Sequence, residues 1–310
     1  MNMAATAALL WIVLLPILSA AQSPANDNSV EAQMHNVTYH FTNDVAVSIR
    51  DLRGALVPEG KHQIPVFDDK NSFILRIDSA EIFITTASMA NLLNSHVFSR
   101  PDSPIKNVSI QIDKDRLKIK GKLHSKGDVP FETNGTLSAT PEGKIRVHTE
   151  KVKALHLPVK GLMDLLGINV DDLVKNGKMQ GIQVEKDDLI LDPEQILPPP
   201  HIRGKLTNIR LVGDSIVQTY GTPEKTSSRM PVSGNFMAYH GNQLRFGKLT
   251  MSDTDMVLID MDPKDPFDFF LDHYKEQLTA GYTKITASFG LRVFMRDFNK
   301  LQKSGKKKGM

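Results

Sequence analysis

Ile110-Gln111-Ile112-Asp113-Lys114-Asp115-Arg116-Leu117 and Ile182-Gln183-Val184-Glu185-Lys186-Asp187-Asp188-Leu189 are one pattern written twice, at a constant offset of 72 residues. In each copy apolar and polar residues alternate on both sides of a short charged stretch, as expected for a hairpin with one buried face. Each copy also follows an apolar segment with helical spacing. Met89, Leu92, Leu93 and Val97 fall at i, i+3, i+4 and i+8 of the first, which spans about 86–98. Val159, Leu162, Leu166 and Val170 form the stripe of the second, with Leu165 and Leu173 beside it, and Gly177 ends it. A duplicated helix-then-hairpin unit therefore organises the first two thirds of the chain.

Outward from this repeat the period-two pattern continues. Val45, Val47 and Ile49 mark one strand, and Phe73, Leu75 and Ile77 another that runs on into Ile82 and Ile84. Val129–Phe131, Leu137–Ala139 and Ile145–Val147 add shorter ones. Pro198-Pro199-Pro200 is the clearest boundary, and a strand-rich section follows it. There Asp265 as N-cap, Pro266 at the first helical position, and Phe267, Phe270, Leu271, Tyr274 and Leu278 predict an amphipathic helix over about 266–280. The expected fold is α+β: a curved, mostly antiparallel sheet wrapped round two pseudo-repeated helices, then the strand-rich section and a C-terminal helix. The expected divisions are 1–21, 22–200, 201–299 and a basic tail, 300–310.

Leu9 to Leu18 form an apolar run, and Ser19-Ala20-Ala21 places small residues before Gln22, the pattern of an export signal cleaved at that point. The stretch before the run carries no Lys or Arg, which leaves an uncleaved anchor as the alternative. The 310 residues contain no cysteine, excluding disulfides, thiolate metal sites and a lipid anchored on cysteine. The formal net charge is +3, and Lys300, Lys303, Lys306, Lys307 and Lys308 account for more than all of it. The basicity is thus a tail that can meet anionic lipid, and no nucleic-acid surface is expected.

The strand, helix and hairpin order resembles the bacterial LmeA-like phospholipid-binding family, related to the tubular lipid-binding superfamily. The resemblance covers roughly 70–215. It rests on Ile119-Lys120-Gly121, Val129-Pro130-Phe131, Gly135-Thr136-Leu137, Leu157-Pro158-Val159 with Leu162 to Gly167, and Leu189-Ile190-Leu191-Asp192-Pro193. It implies a tubular apolar cavity for a phospholipid or fatty acyl chain, lined by Met89, Leu92, Leu93, Val97, Leu162, Leu165, Leu166 and Val170. The same residues could instead close on one another as a filled core, since periodicity reports burial alone.

Reactive motifs are sparse. The ten histidines include no His-x-x-x-His pair, no Gly-x-Ser-x-Gly elbow occurs, and Pro231-Val232-Ser233-Gly234-Asn235 lacks the glycine before its serine. The densest polar cluster is Asp253, Asp255, Asp260, Asp262, Asp265, Asp268 and Asp272 with His273, whose spacing matches no EF-hand loop. Arg203, Arg210 and Arg245 are scattered cations that could reach a lipid phosphate. The sequence points to an exported, non-enzymatic envelope protein, periplasmic in location, that binds an acyl-chain lipid without cofactor or metal. An interaction scaffold with a closed core, and a hydrolase built on the aspartate cluster, are the alternatives.

Overall fold

The computed structural model describes residues 28–124, 127–154, 157–159, 181–222 and 233–301. Its first layer grows from a meander of three long strands, β1 (Val30–His40), β2 (Ala46–Pro58) and β3 (Phe73–Thr85). Along β1 the buried set is Val30, Ala32 and Met34 and then, one residue out of phase, Val37 and Tyr39. Asn36 absorbs the slip with a φ of 51°, a left-handed conformation that asparagine tolerates better than most residues. The neighbour of β1 changes at the same residue. Val30 to His35 pair antiparallel with β14 (Phe236–Gly241), whereas Val37 to His40 pair parallel with β18 (Phe267–Phe270).

The sheet then extends in both directions. Beyond β3 lie β13 (Ser215–Tyr220) and β12 (Leu206–Val212), and β11 (His201–Arg203) also pairs with β3. Beyond β14 come β17 (Thr254–Asp260), β20 (Leu291–Met295) and, at the edge, β19 (Tyr282–Ile285), which makes eleven strands. Strands from both sides of Pro198–Pro200 thus share one sheet.

The second sheet has seven strands in the order β4 (Ile105–Asp113), β5 (Arg116–Leu123), β6 (Val129–Ala139), β7 (Ile145–Ala154), β10 (Asp188–Leu191), β9 (Ile182–Glu185), with β8 (Leu157–Val159) also on β7. The sequence repeat has a spatial counterpart here. Its two hairpins, β4–β5 and β9–β10, occupy the opposite edges of this sheet, flanking the central β6–β7 pair. Lys114 and Lys186, which stand at equivalent places in the two copies, are both left-handed, with φ of 59° and 56°. Each opens a two-residue connection, where a positive φ matches the twist of the flanking strands.

The α+β expectation is overturned: the described chain is predominantly β, and its helices are short. They are α1 (Thr86–Leu92), continued by a wider turn over Leu93–Val97, α2 (Pro193–Ile196), and α3 (Tyr274–Thr279) behind a 3₁₀ turn at Leu271–His273. Among the described residues no sheet wraps round two long helices. The first pseudo-repeated helix is α1, while the second, around Leu162 to Val170, lies outside the described residues. The helix expected over 266–280 is also corrected. Phe267 to Phe270 form a strand, so Asp265 caps no helix, and only its second half is helical. The reason is that Phe267, Phe269 and Phe270 are all buried, as is Asp268 between them, and so short a run of buried residues cannot be assigned to helix or strand from periodicity.

Polar side chains on α1 and the turn after it stitch the sheets together. Thr85 Oγ1 caps the helix by accepting from the Ser88 amide at 3.1 Å, and Asn91 Nδ2 donates to the Asp44 carbonyl at 2.9 Å. On the other side Asn94 and the Val108 backbone exchange two hydrogen bonds of 2.8 Å each. One apolar core runs through both sheets.

A small flap, β15 (Leu244–Phe246) and β16 (Leu249–Met251), closes over an aromatic cluster in which Phe67 lies 5.3 Å from both Tyr239 and Phe246. Asp68 fastens it: Oδ1 accepts from the Gly247 amide at 3.0 Å and Oδ2 from the Tyr274 hydroxyl at 2.8 Å. Burial pushes the Asp68 carboxyl up, but the Gly247 amide, the Tyr274 hydroxyl and the Arg245 charge outweigh it, leaving the group below its usual range. A lowered folded-state pKa adds stability above the unfolded value, near 4, that disappears as pH falls through the folded value. Urea midpoints should therefore show Asp68→Asn destabilising the protein at pH 7, with the difference shrinking steadily below about pH 4. A difference that stayed constant across that range would remove Asp68 as an acid-sensitive fastener.

Candidate ligand-binding site

The space between the sheets holds two apolar cavities. The first, of about 60 Å³, is lined from the larger sheet by Met34 and Tyr39 of β1, Ile49 and Leu52 of β2, Leu75 and Ile84 of β3, and Gln218 and Tyr220 of β13. Ile196 of α2 and Met89 and Leu92 of α1 complete it. The second, of about 70 Å³, is lined mainly by the smaller sheet, through Val108, Ile110, Leu117, Phe131, Val147 and Leu191, with Leu93, Ile209 and Ile216 on the far side. Met89 and Ile145 line both. The cavities are thus neighbours separated by side chains.

Of the residues expected to line a tunnel, Met89 and Leu92 face the first cavity and Met89 and Leu93 the second. Val97 is buried but lines neither. Leu162, Leu165, Leu166 and Val170 lie outside the described residues. Sequence reasoning missed Ile145, Tyr39, Gln218 and Tyr220 as cavity residues. A signal for Gln218 existed: Ile216, Gln218 and Tyr220 share one face of β13, so a carboxamide stands on a core-facing row.

Among the described residues no charged side chain lines either cavity. In the first, the Tyr220 hydroxyl donates to Gln218 Oε1 at 2.9 Å. Burial pushes the hydroxyl pKa of Tyr39, Tyr220 and Tyr239 up, with nearby ionisable groups adding to the effect, so all three stay neutral. In the second, Thr133 and Thr149 are the polar lining residues, and their hydroxyls donate to backbone carbonyls at 3.2 and 2.7 Å. Such walls favour hydrocarbon and oppose ions. At roughly 24 cal/mol per Å³, cavities of this size each cost the fold about 1.5 kcal/mol, a noticeable part of the 5 to 15 kcal/mol by which domains are typically stable. Apolar matter that fills them recovers that loss.

The aspartate cluster has a structural explanation. Lys300 Nζ lies 2.9 Å from Asp262 Oδ2, 2.9 Å from Asp265 Oδ1 and 2.7 Å from Asp297 Oδ2. Asp268 meets His40 Nε2 at 2.6 Å, Asp260 accepts from Asn235 Nδ2 at 2.8 Å, Asp255 pairs with Arg292 and Asp272 with Lys70. Among the described residues no group of three or more acidic or histidine side chains is placed to hold a metal ion. The scattered arginines do not converge on a cavity mouth: Arg210 pairs with Glu81, Arg203 stands 4.0 Å from Glu194, and Arg245 is on the flap. His148 meets Asp188 Oδ1 at 2.6 Å across the β7–β10 pairing, on an exposed face. Pro231 and Val232 of the serine–glycine stretch lie outside the described residues.

Among the described residues, no helix is long and apolar enough to cross a membrane. Comparison of the chain with protein-family models, with curated proteins and with solved structures finds no match.

Proposed function

We propose that this chain is an exported, non-enzymatic protein of the cell envelope that binds the acyl chain of a phospholipid or fatty acid between its two sheets. The observation that carries the reading is the pair of adjoining, mostly apolar cavities, divided by Met89 and Ile145. Each is less than half the ~150 Å³ that accommodates a benzene molecule in an apolar protein cavity, so an acyl chain must widen the space it enters. Methionine suits such a partition, being unbranched, with three rotatable side-chain bonds and a polarizable sulfur. Each methylene buried contributes about 0.8 kcal/mol, so a chain threading both cavities would gain enough to offset the rearrangement. The apolar run at Leu9 to Leu18 supports delivery to an envelope compartment.

Native mass spectrometry, with organic extraction of whatever accompanies the protein, tests the reading. A stoichiometric fatty acid or phospholipid is expected, or its uptake from added vesicles. A ligand-free mass together with no uptake would leave the cavities as packing defects of a closed core, and the interaction-scaffold reading would replace this one.

A further inference from the structure

The turn joining β19 to β20 holds Ile285 and Phe289 out into solvent, 73% and 91% exposed. It is a well-braced turn. The Thr286 amide donates to the Gly290 carbonyl at 2.8 Å, the Phe289 amide to the Thr286 carbonyl at 2.9 Å, and the Gly290 amide to Thr286 Oγ1 at 2.9 Å. Phe289 has a φ of 63°, a left-handed conformation that a bulky residue keeps only where its surroundings enforce it, and such strain gathers at functional positions. A β-carbon at Gly290 behind it would sit 2.0 Å from Asp255 Oδ2, so the Asp255 and Arg292 side chains would have to shift to admit one.

Strand register shows what shares this end of the sheet. Leu291 lies beside Met256, so the turn is level with the point where β14 ends at Gly241 and β17 begins at Thr254. The flap emerges from the same connection but folds back over the sheet, its tip at Gly247 held through Asp68 to Tyr274 of α3. Val30, the first residue of β1, pairs with Gly241, so the sequence containing the Leu9–Leu18 run joins the fold here too. Lys284 is exposed, 5.4 and 5.5 Å from the ring centres of Tyr282 and Phe294. Asp255 is neutralised by Arg292 at 2.9 Å, leaving Asp253 as the exposed acid of this connection.

We infer that this end of the larger sheet docks on an anionic membrane surface, with Phe289 and Ile285 entering the boundary between headgroups and acyl chains. A protein partner is a poor fit. Two protruding side chains offer much less than the ~800 Å² per side of a stable protein interface, and a convex turn has no groove to fill. A bilayer needs only a small apolar wedge beside a cation, which is what Phe289, Ile285 and Lys284 supply. The lysine tail enters from elsewhere: Lys300 is held by Asp262, Asp265 and Asp297, at the end of the sheet where Met295 lies beside Asp260.

The test uses the full chain, whose only tryptophan is Trp11. Trp11→Phe combined with Phe289→Trp places a single reporter on the turn. Vesicles of phosphatidylcholine containing phosphatidylglycerol should blue-shift its emission, and lipids brominated near the headgroup should quench it. Replacing Phe289 and Ile285 by serine should weaken co-sedimentation with these vesicles about tenfold or more. Unshifted emission, unchanged co-sedimentation of the serine variant, or equal binding to phosphatidylcholine alone would each overturn the proposal. Both residues are exposed, so ligand loading of the interior should survive the double replacement, and failure here is distinguishable from failure of the acyl-chain reading.

Discussion

Met89→Ala should lower stability by about 2 to 4 kcal/mol and, in the same variant, enlarge the response to an acyl ligand. Met89 is 4% exposed and lines both cavities, so truncating it removes a buried side chain and part of the wall between them. The lining has little means of collapsing inward, because it belongs to two hydrogen-bonded sheets whose spacing α1 maintains. The expected measurement is a thermal midpoint with and without a medium-chain fatty acid. The ligand should raise the midpoint of the variant more than that of the parent, because more of its chain can be buried at about 0.8 kcal/mol per methylene. Met89→Leu, which roughly conserves volume, should cost less than about 1.5 kcal/mol and leave the ligand response near that of the parent. If the alanine variant is destabilised but gains nothing from ligand, the cavities are packing faults and the tunnel reading fails.

Gln277→Leu should be as damaging, at roughly 3 to 5 kcal/mol, although it preserves volume and adds apolar character. Gln277 is fully buried in α3 and makes three hydrogen bonds to backbone. Oε1 accepts from the Phe270 amide at 2.9 Å, and Nε2 donates to the carbonyls of Asp268 at 2.9 Å and Arg296 at 2.7 Å. Leucine would strand one amide and two carbonyls without water, and a buried polar group left unpaired costs about 1 to 3 kcal/mol. Gln277→Glu should fare no better, since a carboxylate would face two carbonyl oxygens. Equilibrium urea unfolding decides the matter. A loss below about 1 kcal/mol for the leucine variant would mean that these groups find other partners.

Gln277 also shows where the sequence stopped being informative. Its position in an amphipathic pattern reads as an ordinary helical residue, and nothing local announces that β18 and the segment after β20 present their backbone to it. The phenylalanines before it misled in the complementary way, since Phe267, Phe269 and Phe270 are apolar at spacings compatible with either structure. The parallel pairing of β18 with β1, a contact across more than two hundred residues, decided for strand. By contrast, the hairpins around Lys114 and Lys186 were legible because a hairpin is local: alternation names the strands, and two turn residues name the connection. The aspartate cluster was legible as a cluster but not as a set of pairs, because Lys300, His40, Arg292 and Lys70 reach it from four parts of the chain.

The sequence by itself determined several of the strands, the duplicated hairpin, the buried character of Met89, Leu92 and Leu93, and the lack of thiol chemistry. These depend on residue type and on periodicity within a few residues. Tertiary structure alone decided that the strands divide into sheets of eleven and seven, that the two hairpins take opposite edges of the smaller one, and that space remains around Met89. The physical reason is that alternation records which face of a strand avoids water. It carries no record of the opposing surface, and a cavity is a property of two surfaces that meet imperfectly.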